Sequence, residues 1–223
     1  MNSYHLKLIA IITMLIDHIG AVFIPRSTTL YLVMRCIGRL AFPIFVFLLV
    51  EGFYHTRDVK KYLLRLGAFA FLSEIPFDLA FYGKTLEFTH QNIFFTLFLG
   101  LACMYLMSRA ENAFRENVIL INLFRIGLIL IFCLLAYYLK TDYDYRGVLL
   151  IIGFYLFRGN KALLTATLLF VSGYLLGYIN GLATFSIIPI AFYDGKKGKS
   201  IKYAFYIFYP AHLLVLALIK IML

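Results

Sequence analysis

Long apolar runs separated by short polar breaks dominate the chain, a pattern typical of helices that cross a bilayer. Nine such runs are candidate helices, and two of them are shorter than the roughly 17 residues that a perpendicular crossing needs. The runs cover residues 6–24, 29–54, 61–82, 92–108, 118–139, 145–157, 161–179, 181–193 and 200–222. The sequence therefore predicts an all-α, polytopic membrane helix bundle of about nine transmembrane helices, with residues 1–223 as a single integral-membrane domain.

Basic residues are distributed unevenly among the polar breaks. When the N-terminus is placed inside, twelve of them face the cytoplasm: Arg57, Lys60, Lys61, Arg65, Arg109, Arg115, Arg158, Lys161, Lys196, Lys197, Lys199 and Lys202. Five face the other side: Arg26, Lys84, Lys140, Arg146 and Lys220. The positive-inside rule then predicts a cytoplasmic N-terminus and a C-terminus on the outside.

Composition excludes several other classes of protein. Of the 223 residues 63% are hydrophobic and 14% are charged, against about 25% charged in soluble domains. The formal net charge is +10, but orientation in the membrane explains it, so lipid and not nucleic acid is the expected surrounding. Cys36, Cys103 and Cys133 lie inside apolar runs without close spacing, so no metal site is expected. The first run carries Asp17 and His18 and lacks a cleavage pattern, which argues against a signal peptide.

Ionisable residues within the predicted spans are the candidates for chemistry. Each costs roughly 2.5 to 3.5 kcal/mol on insertion scales and therefore needs a partner or a function. The helical rise of 1.5 Å per residue puts the two histidines of this set about 18 Å from the cytoplasmic ends of their helices, near mid-membrane. The set consists of Asp17, His18, Arg35, Arg39, Glu74, Asp78 and His212.

Two pairs in this set have helical i, i+4 spacing. Arg35 and Arg39 lie on one helix face, as do Glu74 and Asp78 on the next helix. We therefore expect the two guanidinium groups to meet the two carboxylates across one helix pair. The alternative is that these charges form ion pairs that only fix packing.

His18 is the first candidate for a catalytic base. Its neighbour Asp17 leaves the helix about 100° away, so the carboxylate that orients His18 is expected from another helix, with Glu74 as first choice. Lys7, eleven residues upstream, returns to nearly the same face and is either a cation at the cytoplasmic end of a channel or an interfacial anchor. For His212 both a supporting polar contact and a direct role are open.

Short sequence strings along most of the chain, densest in residues 6–100, together resemble the TraX family. The strings are Leu15-Ile16-Asp17-His18-Ile19-Gly20, Ile37-Gly38-Arg39-Leu40-Ala41-Phe42-Pro43-Ile44-Phe45, Glu51-Gly52-Phe53, Ser73-Glu74-Ile75-Pro76-Phe77-Asp78 and His90-Gln91-Asn92. The resemblance implies a membrane enzyme that N-acetylates the pilin of a conjugative pilus, with acetyl-coenzyme A as donor. It also implies location in the bacterial cytoplasmic (inner) membrane. A wider similarity is to integral-membrane acyltransferases with a basic residue eleven positions before a histidine, a spacing that Lys7 and His18 match.

These observations lead to a hypothesis for the site. Acetyl transfer needs a base and groups that stabilise the developing oxyanion. The predicted catalytic residues are His18, Asp17, Arg39 and Glu74, and the predicted substrate-binding residues are Arg35, Asp78, His90, His212 and Lys7. Cations at the cytoplasmic face that would attract the donor, unless they only set topology, are Lys196, Lys197 and Lys199. The expected partner is an acceptor protein or glycan at the outer face.

Two other functional classes fit the same residues. A proton-coupled membrane transporter also keeps ionisable groups at mid-depth. A non-enzymatic pilus or envelope assembly factor would use them for folding or for capture of a partner.

Overall fold

Helices account for nearly all of the regular structure in the computed structural model, which describes residues 1–199 and 202–223. Within those ranges the exception is one parallel bridge pair, Gln91 with Thr141. The longer helices are α1 Ser3–Phe23, α2 Thr29–Gly38, α3 Ala41–His55, α4 Val59–Tyr82, α5 Ile93–Ala113, α6 Val118–Tyr138 and α7 Asp144–Leu156. The remainder are α8 Lys161–Leu168, a π-helical segment Leu169–Leu175, α9 Tyr178–Gly181, a 3-10 segment Leu182–Ser186, α10 Ile187–Ala191 and α11 Lys202–Met222.

Five helical stretches among the described residues are long and apolar enough to cross a membrane. They are Ser3–Phe23, Thr29–His55, Ile93–Ala113, Val118–Tyr138 and Tyr203–Met222. This confirms a helical membrane protein. The count of about nine crossings and the orientation of the termini stay predictions.

Polar breaks in the sequence cap the helices that follow them. The side chains of Asn2, Asn92, Asn117 and Asn160 each accept a hydrogen bond from a backbone N–H two or three residues further along. Such a cap satisfies one of the donors left open in the first turn of a helix. The breaks therefore start new helices at defined residues.

The predicted helix 29–54 is interrupted in the structure. Arg39 and Leu40 separate α2 from α3, and Pro43 lies in the first turn of α3. Proline has no N–H, so the carbonyl of Arg39 loses its usual partner four residues ahead. The interruption occurs at Arg39 and brings its side chain to the junction of two helices.

Three helices run in the same direction at the centre of the bundle. The ring of Tyr4 near the start of α1 lies 6.3 Å from that of Phe205 near the start of α11. At the other end Lys220 donates a 3.3 Å hydrogen bond to the carbonyl of Ala80, close to the end of α4. The helices α1, α4 and α11 therefore run parallel to one another.

The hydrophobic core is one cluster that extends from Leu6 in α1 to Ala217 in α11. In contrast, α6 buries only Phe132 and Ala136 and exposes large apolar side chains such as Ile119. An apolar helix with so little protein contact faces lipid. The ionisable residues singled out in the sequence lie away from α6, in the part of the bundle formed by α1, α2, α4 and α11.

Candidate active site

Asp17 forms ion pairs with both arginines of the first i, i+4 pair, Arg35 and Arg39. Arg35 Nη1 donates to Asp17 Oδ2 at 2.6 Å, and Arg39 Nη2 donates to Asp17 Oδ1 at 3.3 Å. Asp17 is buried, with 9% of its surface exposed. Gly38 lies against it so closely that a Cβ at this position would overlap the Asp17 carboxylate. The absence of a side chain at Gly38 therefore makes room for the ion pair between α1 and α2.

Arg39 also reaches the second half of the chain. Its Nη1 donates to Asn180 Oδ1 at 3.1 Å and to the Tyr143 hydroxyl at 3.4 Å, and its Nε donates to the Arg35 carbonyl at 3.2 Å. The Tyr143 ring stacks on Phe42 with centroids 4.0 Å apart. Burial raises the pKa of Tyr143 to about 12, so its hydroxyl keeps its proton. The planar guanidinium thus connects the junction of α2 and α3 to the turn before α7 and to α9.

The turn before α7 has an unusual backbone. Lys140, Tyr143 and Asp144 all have positive φ, a conformation that residues other than glycine rarely adopt. Gln91 donates to the carbonyl of Lys140 at 2.9 Å, which forms the bridge with Thr141. Tertiary contacts therefore hold a strained turn beside Arg39.

Asp142 and His90 lie at the same end of the bundle. Both line the cavity described below, and burial raises the pKa of Asp142 while the Arg39 guanidinium opposes that rise. The Asp142 backbone carbonyl accepts a hydrogen bond from Thr96 Oγ1. The predicted outer-face residue His90 thus lines the cavity close to the carboxyl group of Asp142.

His18 and His212 meet at the centre of the bundle. Nδ1 of His18 lies 2.7 Å from Nε2 of His212, and Nδ1 of His212 lies 2.7 Å from the carbonyl oxygen of Phe208. The two imidazole planes differ by 3°. Edge contacts from Phe81 and Tyr209, with centroids 5.4 and 6.1 Å from that of His18, hold the ring in place. The two histidines that the helical rise puts at equal depth form one hydrogen-bonded pair.

A cavity of about 640 Å³ passes this pair. Its lining includes His18, Asp17, Arg35 and Arg39 but not His212. Basic side chains line the end where α1 begins: Lys7, Arg65, Lys197 and Lys199. Polar side chains line the opposite end: Arg26, Tyr31, His90 and Asp142. The cavity therefore extends along the bundle from one end to the other, with His18 between them.

Glu74 and Asp78 do not join this site, and the predicted pairing with the arginines is wrong. Asn92 donates to Glu74 through its side-chain amide and, at 3.5 Å, through its backbone N–H. Asp78 accepts from the Glu87 backbone N–H at 2.7 Å. Because Asp17 already supplies the counter-charge for both arginines, the carboxylates of α4 bind neutral donors in the loop that precedes α5. His212, and not Glu74, is the side chain hydrogen-bonded to His18.

The predicted cytoplasmic cations divide into two groups. Lys7, Lys197 and Lys199 line the cavity, and the Lys7 ammonium lies 5.1 Å from the centroid of the Phe205 ring. Lys196 does not line it, and its carbonyl accepts a 2.8 Å hydrogen bond from the Ser3 backbone. The loop that carries these lysines therefore packs on the start of α1.

Three residues of the site escaped the sequence-based prediction. Tyr143 directly follows a polar break and Asn180 lies in one, so the sequence identifies both only as boundary residues, and it identifies Arg65 only as a topology determinant. Nε of Arg65 is buried without a hydrogen-bond partner.

Across the described ranges no group of three or more His, Cys, Asp or Glu side chains is arranged to hold a metal ion.

Comparison with known proteins identifies the family. The sequence profile described as "TraX protein" matches residues 3–220. The chain belongs to the TraX family. This TraX-family chain is 33% identical over its whole length to 97% of a Dichelobacter nodosus protein named "Probable fimbrial assembly protein FimC, serogroup H1". Half of it is 32% identical to 40% of an uncharacterized protein of Rickettsia prowazekii (strain Madrid E), RP591. No solved structure matches it significantly.

The match confirms the family resemblance carried by the short strings. In this TraX-family chain, two of those strings supply Asp17, His18 and Arg39 to the cavity, and two others supply the separate contact between Glu74 and Asn92. The strings therefore contribute to two polar centres in different parts of the bundle.

Proposed function

We propose that this protein is a membrane acetyltransferase that moves an acetyl group from cytoplasmic acetyl-coenzyme A to an acceptor at the outer side of the membrane. The observation that carries the proposal is the continuous cavity, which has basic groups at one end and His18 and Arg35 at its centre. An enzyme that joins substrates from opposite sides of a bilayer needs such a passage. The acceptor group is an amine or a hydroxyl.

The central residues fit the chemistry of acyl transfer. The thioester of acetyl-coenzyme A supplies an activated carbonyl. The His18 imidazole takes the proton from the acceptor N–H or O–H. The acceptor atom then bonds to the acetyl carbon, the carbon–sulfur bond breaks, and the thiolate receives the proton from His18.

Arg35 is the better candidate for stabilising the developing oxyanion. Arg39 donates to Asp17, Asn180, Tyr143 and the Arg35 carbonyl. Within the described part of the chain, Arg35 donates one side-chain hydrogen bond, to Asp17, and it is the more exposed of the two, at 26% against 14%. A guanidinium group has five N–H donors, so Arg35 has donors to spare for a reacting carbonyl oxygen. In this proposal Arg39 and Asp17 hold the site together.

The basic end of the cavity suits a phosphorylated donor. Lys7, Arg65, Lys197 and Lys199 form a positive rim that would raise the local concentration of a polyanion. The buried Nε of Arg65 gives this rim a donor still to be satisfied. The proposed orientation puts this rim at the cytoplasmic face of the bacterial inner membrane.

The family and the fimbrial assembly relative support an acceptor in pilus or envelope assembly, either the N-terminus of a pilin or an envelope glycan or polymer. His90 and Asp142, at the opposite end of the cavity, would meet this acceptor. The relative's name equally supports a non-enzymatic assembly factor.

The test is transfer from labelled acetyl-coenzyme A by purified protein in lipid nanodiscs, with envelope fractions as acceptor. His18→Ala is expected to abolish transfer, and the exposed His5→Ala serves as the matched control for loss of an imidazole. Undiminished transfer by His18→Ala would remove His18 from the mechanism. Mass spectrometry of envelope components from cells with and without the gene identifies the acetylated product.

The same preparation separates the alternatives. A proton-coupled transporter would move a substrate across sealed vesicles without consuming acetyl-coenzyme A. An assembly factor would not bind acetyl-coenzyme A, and replacement of His18 or Arg39 would harm its folding or its capture of a partner.

A further inference from the structure

The hydrogen bonds around His212 determine where its proton lies. A carbonyl oxygen only accepts hydrogen bonds, so the 2.7 Å contact between His212 Nδ1 and the Phe208 oxygen requires a hydrogen on Nδ1. In a neutral imidazole the other nitrogen then has a lone pair and accepts. Nε2 of His212 is therefore a hydrogen-bond acceptor that points at His18.

This acceptor in turn fixes the tautomer of His18. One hydrogen must lie in the 2.7 Å contact between the two rings, and since His212 Nε2 accepts, His18 Nδ1 donates. The two ring planes are parallel within 3° and their centroids are 5.0 Å apart. Together with the 2.7 Å between Nδ1 and Nε2, this is the separation of two imidazoles joined edge to edge and not stacked face to face. The lone pair of His18 then lies on Nε2, the nitrogen that is not engaged by His212.

We propose that His212 is a positioning residue that holds His18 in the Nδ1–H tautomer and so presents a basic Nε2 to the cavity. His18 lines the cavity and His212 does not, so His212 acts through His18 and not on the substrate. This proposal rests on the proposed function of His18 as the base and assigns the reacting atom. It replaces the prediction of a substrate-binding role for His212.

The chain of hydrogen bonds from His18 through His212 to the Phe208 carbonyl also favours the protonated state of His18. When Nε2 takes the proton of the acceptor, the positive charge lies against the chain His18, His212 and the Phe208 carbonyl, whose dipole is oriented to favour it. The proton then leaves from Nε2 to the thiolate, and the Nδ1 hydrogen stays in place. Phe208 also stacks on His212 with centroids 4.8 Å apart, which keeps the second ring aligned.

The first measurement is ¹⁵N NMR of histidine-labelled protein in nanodiscs, with the His18 signals assigned from their loss in His18→Ala. We expect a protonated Nδ1 and an unprotonated Nε2 on His18 at neutral pH. A wild-type spectrum with the proton on Nε2 would overturn the proposal. This readout does not depend on acetyl transfer, so it can succeed even when the proposed function fails.

The second measurement compares His212→Leu with His212→Gln. Leucine removes the acceptor, so we expect at least a tenfold fall in kcat, a KM for acetyl-coenzyme A within twofold of wild type, and a shift of His18 toward the Nε2–H tautomer. Glutamine offers an amide oxygen near the position of Nε2 and should restore both the tautomer and most of kcat. The exposed Leu218→Ala is the control for a perturbation of α11.

Two outcomes contradict the positioning role. One is an unchanged His18 spectrum with unchanged kcat in His212→Leu. The other is equal loss of kcat in the leucine and glutamine variants with the wild-type tautomer kept in both. Full activity of His18→Ala instead contradicts the proposed function and leaves the assignment of the tautomer to the spectrum alone.

Discussion

Two i, i+4 pairs of charged residues, one at the end of α2 and one in α4, have different partners in the structure. Arg35 and Arg39 share one buried carboxylate, Asp17, beside a cavity. Glu74 and Asp78 instead bind neutral amide donors that fix the segment before α5. The same i, i+4 spacing therefore serves two kinds of interaction. The arginines pair with an opposite charge, whereas the carboxylates accept hydrogen bonds from neutral donors.

The difference has an energetic consequence. Removal of one member of a buried ion pair leaves an uncompensated charge and costs about 3–5 kcal/mol. Loss of a single hydrogen bond to a neutral group costs about 1 kcal/mol. The arginine centre should therefore be far more sensitive to neutral substitutions than the centre around Glu74.

Asp17→Asn should have the largest effect. It removes the counter-charge of two guanidinium groups, so we expect about 3 kcal/mol less stability and at least a hundredfold loss of transfer. Glu74→Gln is the matched carboxyl-to-amide change, and we expect it to cost about 1 kcal/mol and to keep transfer within a few fold. Denaturation in detergent and the labelled transfer assay provide both values. Equal effects of the two substitutions would remove the distinction between the centres.

Gly38→Ala should rank second. The added Cβ would overlap Asp17, so the carboxylate must move away from the arginines or α1 must separate from α2. We expect a loss of about 1–3 kcal/mol and a strong loss of transfer. In α6, Gly127 has nothing within 4 Å of an added Cβ, so Gly127→Ala is the control and should stabilise by about 0.5–1 kcal/mol. Equal changes in the melting temperature of the two alanine variants would contradict this role of Gly38.

Replacing Arg35 or Arg39 by lysine should separate the catalytic role of the first residue from the structural role of the second. Lysine lacks the planar fork, so Arg39→Lys should lose contacts to several helices and about 1–2 kcal/mol of stability. Arg35→Lys keeps a charge near Asp17 and should fold normally, with kcat reduced about tenfold through weaker oxyanion stabilisation. Thermal unfolding in detergent and kcat measured side by side check this separation. The reverse pattern would exchange the two roles.

Lys197→Ala should give the smallest effect. Lys197 lines the basic end of the cavity and Lys196 does not, so only the former should raise the KM for acetyl-coenzyme A, by about threefold at low salt. The effect should shrink at high ionic strength, because salt screens an exposed charge. A similar rise in both variants would indicate a general effect of surface charge.

Much of the fold could be predicted from the sequence, because bilayer thickness and hydropathy fix helix lengths without tertiary detail. The predicted run 29–54 matches one apolar stretch, Thr29–His55, and what the sequence did not predict is the turn at Arg39 and Leu40 that divides this stretch ahead of Pro43. A proline in the sequence does not by itself predict whether a helix is interrupted. Membrane helices can also accommodate proline, as α4 accommodates Pro76. Contacts with neighbouring helices decide between these outcomes.

The sequence by itself determined that this protein is a helical membrane protein of the TraX family and that His18, Arg35 and Arg39 lie within its spans. Periodicity determined that the two arginines share a face, because the helix repeat is a local property. Only the tertiary structure decided that Asp17 pairs with both arginines, that His212 is hydrogen-bonded to His18, and that Glu74 accepts from Asn92. These pairings depend on how each helix is rotated about its own axis. That rotation is set by packing against the other helices, so the sequence of one helix does not determine it.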